Sequence, residues 1–490
     1  MAQITATAAG ASNSASGYSA AALAPLTARR RTRTQSRAKN ATANATATIG
    51  APYSTAILKA IHTTGSRGRQ PDRLPAIITS SRCGANPHSP AAGNSRILAG
   101  LMTGRAIVLL SLAALASAAG LRVTDPLLAL IASEYRVTPG AAAAVITGFS
   151  VAYGLLQVVH GPIGDRVGKY RVVTAATALS ALGTFACAAA PSLGWLVAAR
   201  FVSGATVGAL IPVSMVWIGD VVPYERCQPV LARFLIGQMF GVALGTTAGG
   251  VLGEAFGWRI VFVVLAVLYL AIAALLALEL RGNPLTRRAG GAAASVPDAF
   301  RRMAGLLDLP WVRVMLATVF TEALLFYGAL SFVALHLHQR LGVSLAGSGA
   351  LVTAFAFGGL MYAGTAGRIV PRLGERGLVL AGGSLLGLAW LGMILAPGPA
   401  VAVPCLMAAG TGLYMLHNTL QVHATQMAPE ARGAAVSLFA LALFTGQSAG
   451  VWISARIVDH FGTRPVFAVA ALGLPLLALE FRRRLALRAA

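Results

Sequence analysis

Long apolar runs separated by short polar turns dominate the chain from residue 106 to residue 480. A helix needs about 20 apolar residues to cross a bilayer, and twelve runs approach or meet that length. They are 106–132, 140–160, 172–190, 195–218, 231–256, 260–280, 314–337, 345–367, 378–396, 401–427, 434–458 and 465–480. This pattern predicts an all-α integral membrane protein with twelve transmembrane helices.

The longest connection between apolar runs, from Arg281 to Arg313, divides the twelve spans into two sets of six. The halves also resemble each other: residues 161–170 match residues 367–376, and residues 256–262 match residues 461–467. Two matches at offsets of 206 and 205 predict two pseudo-symmetric six-helix bundles with a substrate site between them, near mid-membrane. The predicted units are 102–281 and 314–482 for the bundles, 282–313 for a cytoplasmic central loop, and 483–490 for a basic cytoplasmic tail.

The first 101 residues contain no long apolar run and carry many bases with the single acid Asp72. This composition predicts a disordered basic extension. Three interpretations remain open at this point: a start placed too early, with translation beginning at Met102; a disordered cytoplasmic tail; and an organellar transit peptide.

Charge is scarce, since only 11% of residues are charged and 56% are hydrophobic. So few charges could not cover a soluble protein of 490 residues. A net charge of +24 is typical of a nucleic-acid-binding protein, but most lysines and arginines after residue 100 lie in one set of loops between the apolar runs. That bias predicts an inner (plasma) membrane protein with both termini cytoplasmic and no nucleic-acid partner. No metal-ligand spacing and no nucleophile, phosphate-binding or dinucleotide motif occurs, so neither an enzyme nor a cofactor is expected.

The loop after the second span carries a specific motif. It reads Gly161-x-x-x-Asp165-Arg166-x-Gly168-Lys169-x-Arg171. Its glycines permit a tight turn, and Asp165 can accept hydrogen bonds from an arginine or from a helix N-terminus. The motif resembles the signature loop of the major facilitator superfamily of secondary transporters, with Lys169 where arginine is commoner.

That resemblance implies that this signature loop holds the cytoplasmic side in one conformation and releases it in the other. The second copy of the loop keeps Gly367, Arg372 and Gly374 but has Pro371 where Asp165 stands in the first copy. We therefore expect the second copy of the loop to hold the cytoplasmic side in that conformation more weakly than the first copy does.

Glycines recur at every fourth position of the fifth span. They are Gly237, Gly241, Gly245, Gly249, Gly253 and Gly257, with Gly250 beside them. The spacing predicts a smooth groove that lets another helix approach closely. The segment from Gly241 to Gly250 also resembles the superfamily's motif for proton-coupled exporters, except that Thr246 replaces the usual proline.

Several polar side chains lie within predicted spans, where charge is costly and usually faces a cavity or a partner. They are Arg122, Asp125, Arg200, Glu322, His417, Asn418 and Gln421. Arg122 and Asp125 are three residues apart and can pair on one helical face, as can the four-apart His417 and Gln421. Arg200 follows an interfacial tryptophan by five residues, so it either lies buried or extends to the outer interface. For each of these residues, a purely structural role in helix packing is the alternative.

The resemblance implies that spans one, four, seven and ten line a central cavity. We expect Asp125 or Glu322 to take up a coupling proton, because desolvation favours the neutral carboxylic acid while Arg122 or Arg200 opposes it. It implies a secondary transporter that moves a small molecule by alternating access, functions as a monomer, and has that molecule, protons and the lipid bilayer as partners. Proton-coupled efflux of a drug, sugar or metabolite is the leading expectation, with proton-coupled uptake of a metabolite as the alternative.

Overall fold

The computed structural model describes residues 90–287 and 296–489, with most side chains described from residue 102 onward. This part of the chain is helical, without strands. The extension before Pro90 and Arg288 in the central loop lie outside the described residues. The first helix begins at Pro90, earlier than the expected boundary at residue 101. Proline suits the first turn of a helix, and no further proline interrupts the chain before Pro126.

The first half consists of spans α1 to α6, some of them built from two helical segments. They are α1 (Pro90–Arg122, a 3-10 turn at Asp125–Leu127, and Leu128–Tyr135), α2 (Pro139–Ala142 and Ala144–Val167), α3 (Lys169–Ala188), α4 (Leu193–Val207 and Leu210–Val221), α5 (Tyr224–Phe256) and α6 (Trp258–Gly282).

The second half follows a 3-10 turn at Pro284–Arg287 and a short linker helix at Val296–Leu306. Its spans are α7 (Pro310–Leu330 and Val333–Leu341), α8 (Leu345–Val352 and the part of Ala354–Leu395 before Gly374), α9 (the part of Ala354–Leu395 after Gly374), α10 (Pro399–Gln426), α11 (Arg432–Phe461, preceded by a 3-10 turn at Pro429–Ala431) and α12 (Arg464–Ala489).

The boundary between α8 and α9 is a kink at Gly374, within the loop predicted between the spans 345–367 and 378–396. Ala354–Leu395 consists of two helical segments that meet at Gly374, whose φ of 61° and ψ of 178° are not helical. The apolar helical stretch 345–395 contains 51 residues, which is about 75 Å of helix. A bilayer core is only about 30 Å thick, so this stretch crosses twice. With the ten other spans of the described chain, the predicted total of twelve is confirmed.

The glycine stripe of α5 packs directly against α1, as the spacing predicts. A methyl group added at Gly237 would lie 2.8 Å from the Ser111 carbonyl oxygen, and one at Gly245 would lie 2.6 Å from the Ala119 carbonyl oxygen. Gly250 faces the other way, onto the Leu345 carbonyl of α8. The α5 backbone is therefore in close contact with both halves of the molecule.

The two bundles meet along two helix pairs, α2 with α11 and α5 with α8. Among the described residues, every hydrogen bond between the bundles lies in the half of the span remote from the signature loop. The deepest of these, from Gln447 Nε2 to Ser150 Oγ, is 2.8 Å long and buried near the middle of α2. We call the end with residues 161–171 the signature end and the end with Asp459 the far end.

Candidate functional site

A buried ion pair lies where α1 is interrupted. The α-helix ends at Arg122, and a 3-10 turn begins at Asp125 and contains Pro126, which lacks a backbone donor. Arg122 Nη1 lies 3.4 Å from Asp125 Oδ2, and the two side chains are 4% and 1% exposed. The predicted pairing is confirmed, although the backbone between the two residues is not a continuous helix.

Arg122 also reaches across to the other bundle. Its guanidinium carbon lies 4.7 Å from the ring centroid of Tyr327 on α7. A cation over an aromatic face is attracted by the negative charge of the ring face, and more strongly where water is excluded. Arg122 therefore connects the ion pair of the first half to the polar residues of the second.

A second buried pair joins α7 to α10. Glu322 Oε2 lies 2.8 Å from His417 Nδ1, with Glu322 1% exposed and His417 17% exposed. The same geometry serves a neutral histidine that donates from Nδ1 and a charged one. The two residues are 95 positions apart, and no pattern in the sequence predicts their contact.

We call the two pairs together with Tyr327 the central cluster, which comprises Arg122, Asp125, Glu322, Tyr327 and His417. Each of its two carboxylates has one oxygen without a hydrogen-bond partner. Asp125 Oδ1 and Glu322 Oε1 are buried and make no hydrogen bond within the described chain. A buried carboxylate oxygen that lacks a donor is costly while it is charged. Chemically, a proton or a donor group of a ligand at either oxygen would remove that cost.

Arg200 lies outside the central cluster, within the first bundle. It is 1% exposed, so the expected alternative of an interfacial position is wrong. Its Nη1 donates to the Gly120 carbonyl oxygen at 3.0 Å, and its guanidinium lies 3.8 Å from the Phe149 ring centroid. The aromatic ring and the α1 carbonyl give the cation an internal position, while Trp195 stays 55% exposed one turn earlier.

The polar residues of α10 are only partly brought together. Asn418 is half-buried and interacts with Tyr362 of α8. Gln421 is exposed one turn beyond His417 and makes no hydrogen bond to the cluster in the described part of the chain. The shared helical face of His417 and Gln421 therefore does not make a joint site with Glu322.

The signature loop forms an ion network with α4. Lys169 Nζ lies 3.1 Å from Asp165 Oδ1 and 2.6 Å from Asp220 Oδ2. Asp165 thus pairs with this lysine, and within the described residues it makes neither of the expected contacts, with an arginine or with a helix N-terminus. Asp220 was not recognised from the sequence, where it appears only as an acid at the end of an apolar run.

The second copy of the loop has an acid where the first copy has Lys169. Glu375 stands at the position of Lys169, and its Oε2 lies 3.3 Å from Nε2 of His423 on α10. Glu375 is 61% exposed while His423 is 11% exposed, and a single pair whose carboxylate is largely in solvent contributes little. This geometry agrees with the expectation of a weaker contact in the second half.

The chain is similar to known membrane transporters over most of its length. The family model of the Major Facilitator Superfamily matches residues 110–451. The "Uncharacterized MFS-type transporter YceJ" of Bacillus subtilis (strain 168) is 24% identical over 351 residues, covering 69% of this chain and 86% of that protein. The "Probable transporter SCO4007" of Streptomyces coelicolor is 29% identical over 387 residues, covering 75% and 85%.

A solved structure supports the same fold. The crystal structure of the peptide transporter POT superposes with a TM-score of 0.65 at 15% identity, covering 78% of this chain and 94% of that one. At this identity the likeness concerns the fold alone. Together with the family match and the twelve spans, it establishes the class of the protein: the chain belongs to the Major Facilitator Superfamily of membrane transporters.

Proposed function

We propose that the protein is a proton-coupled exporter of a small molecule that works by alternating access. In this proposal it works as a monomer in the inner (plasma) membrane, with the signature end and both chain termini on the cytoplasmic side. The observation that carries the coupling is the central cluster, in which two buried carboxylates each keep one oxygen without a donor.

The cluster suits coupling because it joins both bundles. Asp125 is paired with Arg122 of the same helix, and Arg122 lies over Tyr327 of the opposite bundle. A relative movement of the bundles therefore changes the surroundings of Arg122. When Arg122 moves, the charge that stabilises an ionised Asp125 changes, and a proton is taken up or released.

The conformation of the structure agrees with one state of such a cycle. Glycines at the far end, such as Gly140 and Gly349, lie against the backbone of the opposite bundle. Gly161 and Gly364, toward the signature end, have no atom within contact distance of an added methyl group. A closed far end and an open signature end correspond to an inward-facing transporter.

The direction of transport rests on α5. The stripe from Gly241 to Gly250 matches the exporter pattern except at Thr246. The Thr246 hydroxyl donates to the Val242 and Ala243 carbonyl oxygens at 3.2 Å and 3.1 Å. Such bonding to the preceding turn bends helices slightly, which supports a role for threonine similar to that of the missing proline. Proton-coupled uptake is the alternative.

The test begins with a growth screen of an overexpressing strain and a deletion strain against toxic compounds, which identifies a transported compound. Everted membrane vesicles then report whether adding that compound dissipates an imposed proton gradient. We expect Asp125→Asn or Glu322→Gln to abolish the coupled proton flux, while the exposed-carboxylate control Glu480→Gln retains it. Retention of gradient-driven transport in both central variants would disprove the coupling role. Compound accumulation in whole cells would indicate uptake in place of export.

A further inference from the structure

The far end contains two carboxylates that bind helix N-termini of the opposite bundle. Asp459, near the end of α11, accepts from the Gly140 backbone N–H at 2.8 Å and from the Thr138 hydroxyl at 2.7 Å. Glu254, near the end of α5, accepts from the Ala346 backbone N–H at 2.6 Å. Each carboxylate therefore belongs to one bundle and satisfies a free backbone donor in the first turn of a helix of the other.

These two contacts are related by the internal repeat. Asp459 follows Glu254 by 205 residues, and Ala346 follows Gly140 by 206, which are the offsets between the two halves. Both acids stand three residues before a glycine with positive φ, Gly257 at 81° and Gly462 at 78°. Their partner helices also begin alike, because Thr138 and Ser344 each cap their own helix through the side-chain oxygen.

Electrostatics favours both contacts. The N-terminus of a helix carries a partial positive charge, so a carboxylate there is stabilised by the helix dipole as well as by the hydrogen bond. The partner helices α2 and α8 continue toward the middle of the membrane and form the two contact lines between the bundles. Separation of the bundles at the far end must break both carboxylate contacts.

We propose that Glu254 and Asp459 are a symmetric pair of far-end clasps that hold the far end of the transporter closed and are released whenever that end opens. This inference rests on the alternating-access part of the proposed function, and it does not depend on the coupling ion, the substrate or the direction of transport. The two acids act by positioning the bundles and do not contact the substrate.

The chain offers a matched control for the clasps. Glu134 is also a carboxylate near the far end, but it binds within the first bundle. Its Oε1 lies 2.6 Å from Arg259 Nη2, and its Oε2 accepts from Trp258 Nε1 at 2.5 Å. Glu134→Gln therefore removes a similar charge at a similar place without touching the contact between the bundles.

The test measures opening directly, in the full-length protein carrying Ser150→Cys. Residue 150 is fully buried between the bundles, so a membrane-impermeant maleimide supplied on the far side reaches it only when that side opens. We expect Glu254→Gln or Asp459→Asn to raise the labelling rate about fivefold, and the double variant to raise it more than tenfold. Glu134→Gln should leave the rate unchanged.

Two further readouts separate release of the clasps from damage to the fold. Cys187 is buried inside the first bundle, so it stays unlabelled in every folded variant, as peptide mass spectrometry can verify. The charge-preserving variants Glu254→Asp and Asp459→Glu should label close to the parental rate. An unchanged rate in the double neutral variant, or an equal rise in Glu134→Gln, would overturn the proposal. Because labelling needs neither substrate nor a proton gradient, its outcome is independent of the coupling experiment.

Discussion

The contact between α1 and α5 gives a stability prediction that rests on one methyl group. In Gly245→Ala, the added carbon would lie 2.6 Å from the Ala119 carbonyl oxygen and 2.7 Å from its Cα. Both are backbone atoms, which cannot rotate away as a flexible side chain can. Ordinary contact begins near 3.4 Å, so the two helices must separate locally by about 0.8 Å.

The free-energy cost of this overpacking is partly offset by the higher helix propensity of alanine. Overpacking of this kind costs about 1–3 kcal/mol, whereas alanine is favoured over glycine inside a helix by about 1 kcal/mol. Gly245→Ala should therefore be destabilised by up to about 2 kcal/mol. The matched control is Gly364→Ala in α8, where no atom lies within 4 Å of the added methyl group. That variant should be unchanged or stabilised by up to about 1 kcal/mol.

The measurement is the apparent melting temperature of the purified variants, recorded in one detergent at one heating rate. Gly245→Ala should melt below the parent by up to about 2 °C, and Gly364→Ala at or above it. If the two substitutions change the melting temperature equally, the stripe does not act through close helix contact and the packing argument fails.

Three other substitutions test separate contacts by the same melting assay. Lys169→Gln removes both ion pairs of the signature loop, including that with Asp220. Because the acids are about half exposed, the loss of folding free energy should be about 0.2–1 kcal/mol per pair. Lys169→Arg should restore the stability. Arg200→Lys keeps the charge but loses the planar contact over Phe149, and a cost of about 1–2 kcal/mol is expected; a variant as stable as the parent would refute that contact. Gln447→Leu leaves a buried hydroxyl on α2 without its donor, for an expected cost of about 0.6–2 kcal/mol; a gain in stability would contradict this account of the interface.

Features that depend on local spacing were predictable from the sequence. The twelve spans follow from the length of the apolar runs, and the α1–α5 contact follows from glycines at every fourth position. The pairing of Arg122 with Asp125 follows from their separation of three residues. In each case the responsible residues lie within one span, so their spacing along the chain indicates which side chains share a face.

Contacts between distant helices were not predictable in this way. Glu322 and His417 come from helices whose relative rotation depends on packing throughout the second bundle. The depth of Arg200 was ambiguous because spacing along α4 does not reveal which neighbouring helices cover it. Asp220 lies 51 residues from Lys169, and only the folded bundle brings the two together.

The contacts of Glu254 and Asp459 were partly predictable from the sequence. The match between residues 256–262 and 461–467 begins just after Glu254 and Asp459, and extending it backward by two residues includes both acids. What the sequence does not contain is the information that each acid contacts the other half of the molecule. That depends on the arrangement of the bundles, which the repeat implies only in outline.

The buried hydrogen bond between Ser150 and Gln447 divides α2 into two unequal lever arms. Ser150 lies about 16 Å from the far end of α2 at Pro139 and about 26 Å from its signature end at Val167, at 1.5 Å per residue. If the bundles rock about this point by about 15°, a typical rigid-body rotation, the far end moves about 4 Å and the signature end about 7 Å. A movement of 4 Å is enough to break a 2.8 Å hydrogen bond. In the alternating-access cycle proposed above, rotations of equal size in opposite directions would therefore open a narrower passage at the far end than at the signature end, so the far-end passage would limit the size of the molecule that can cross.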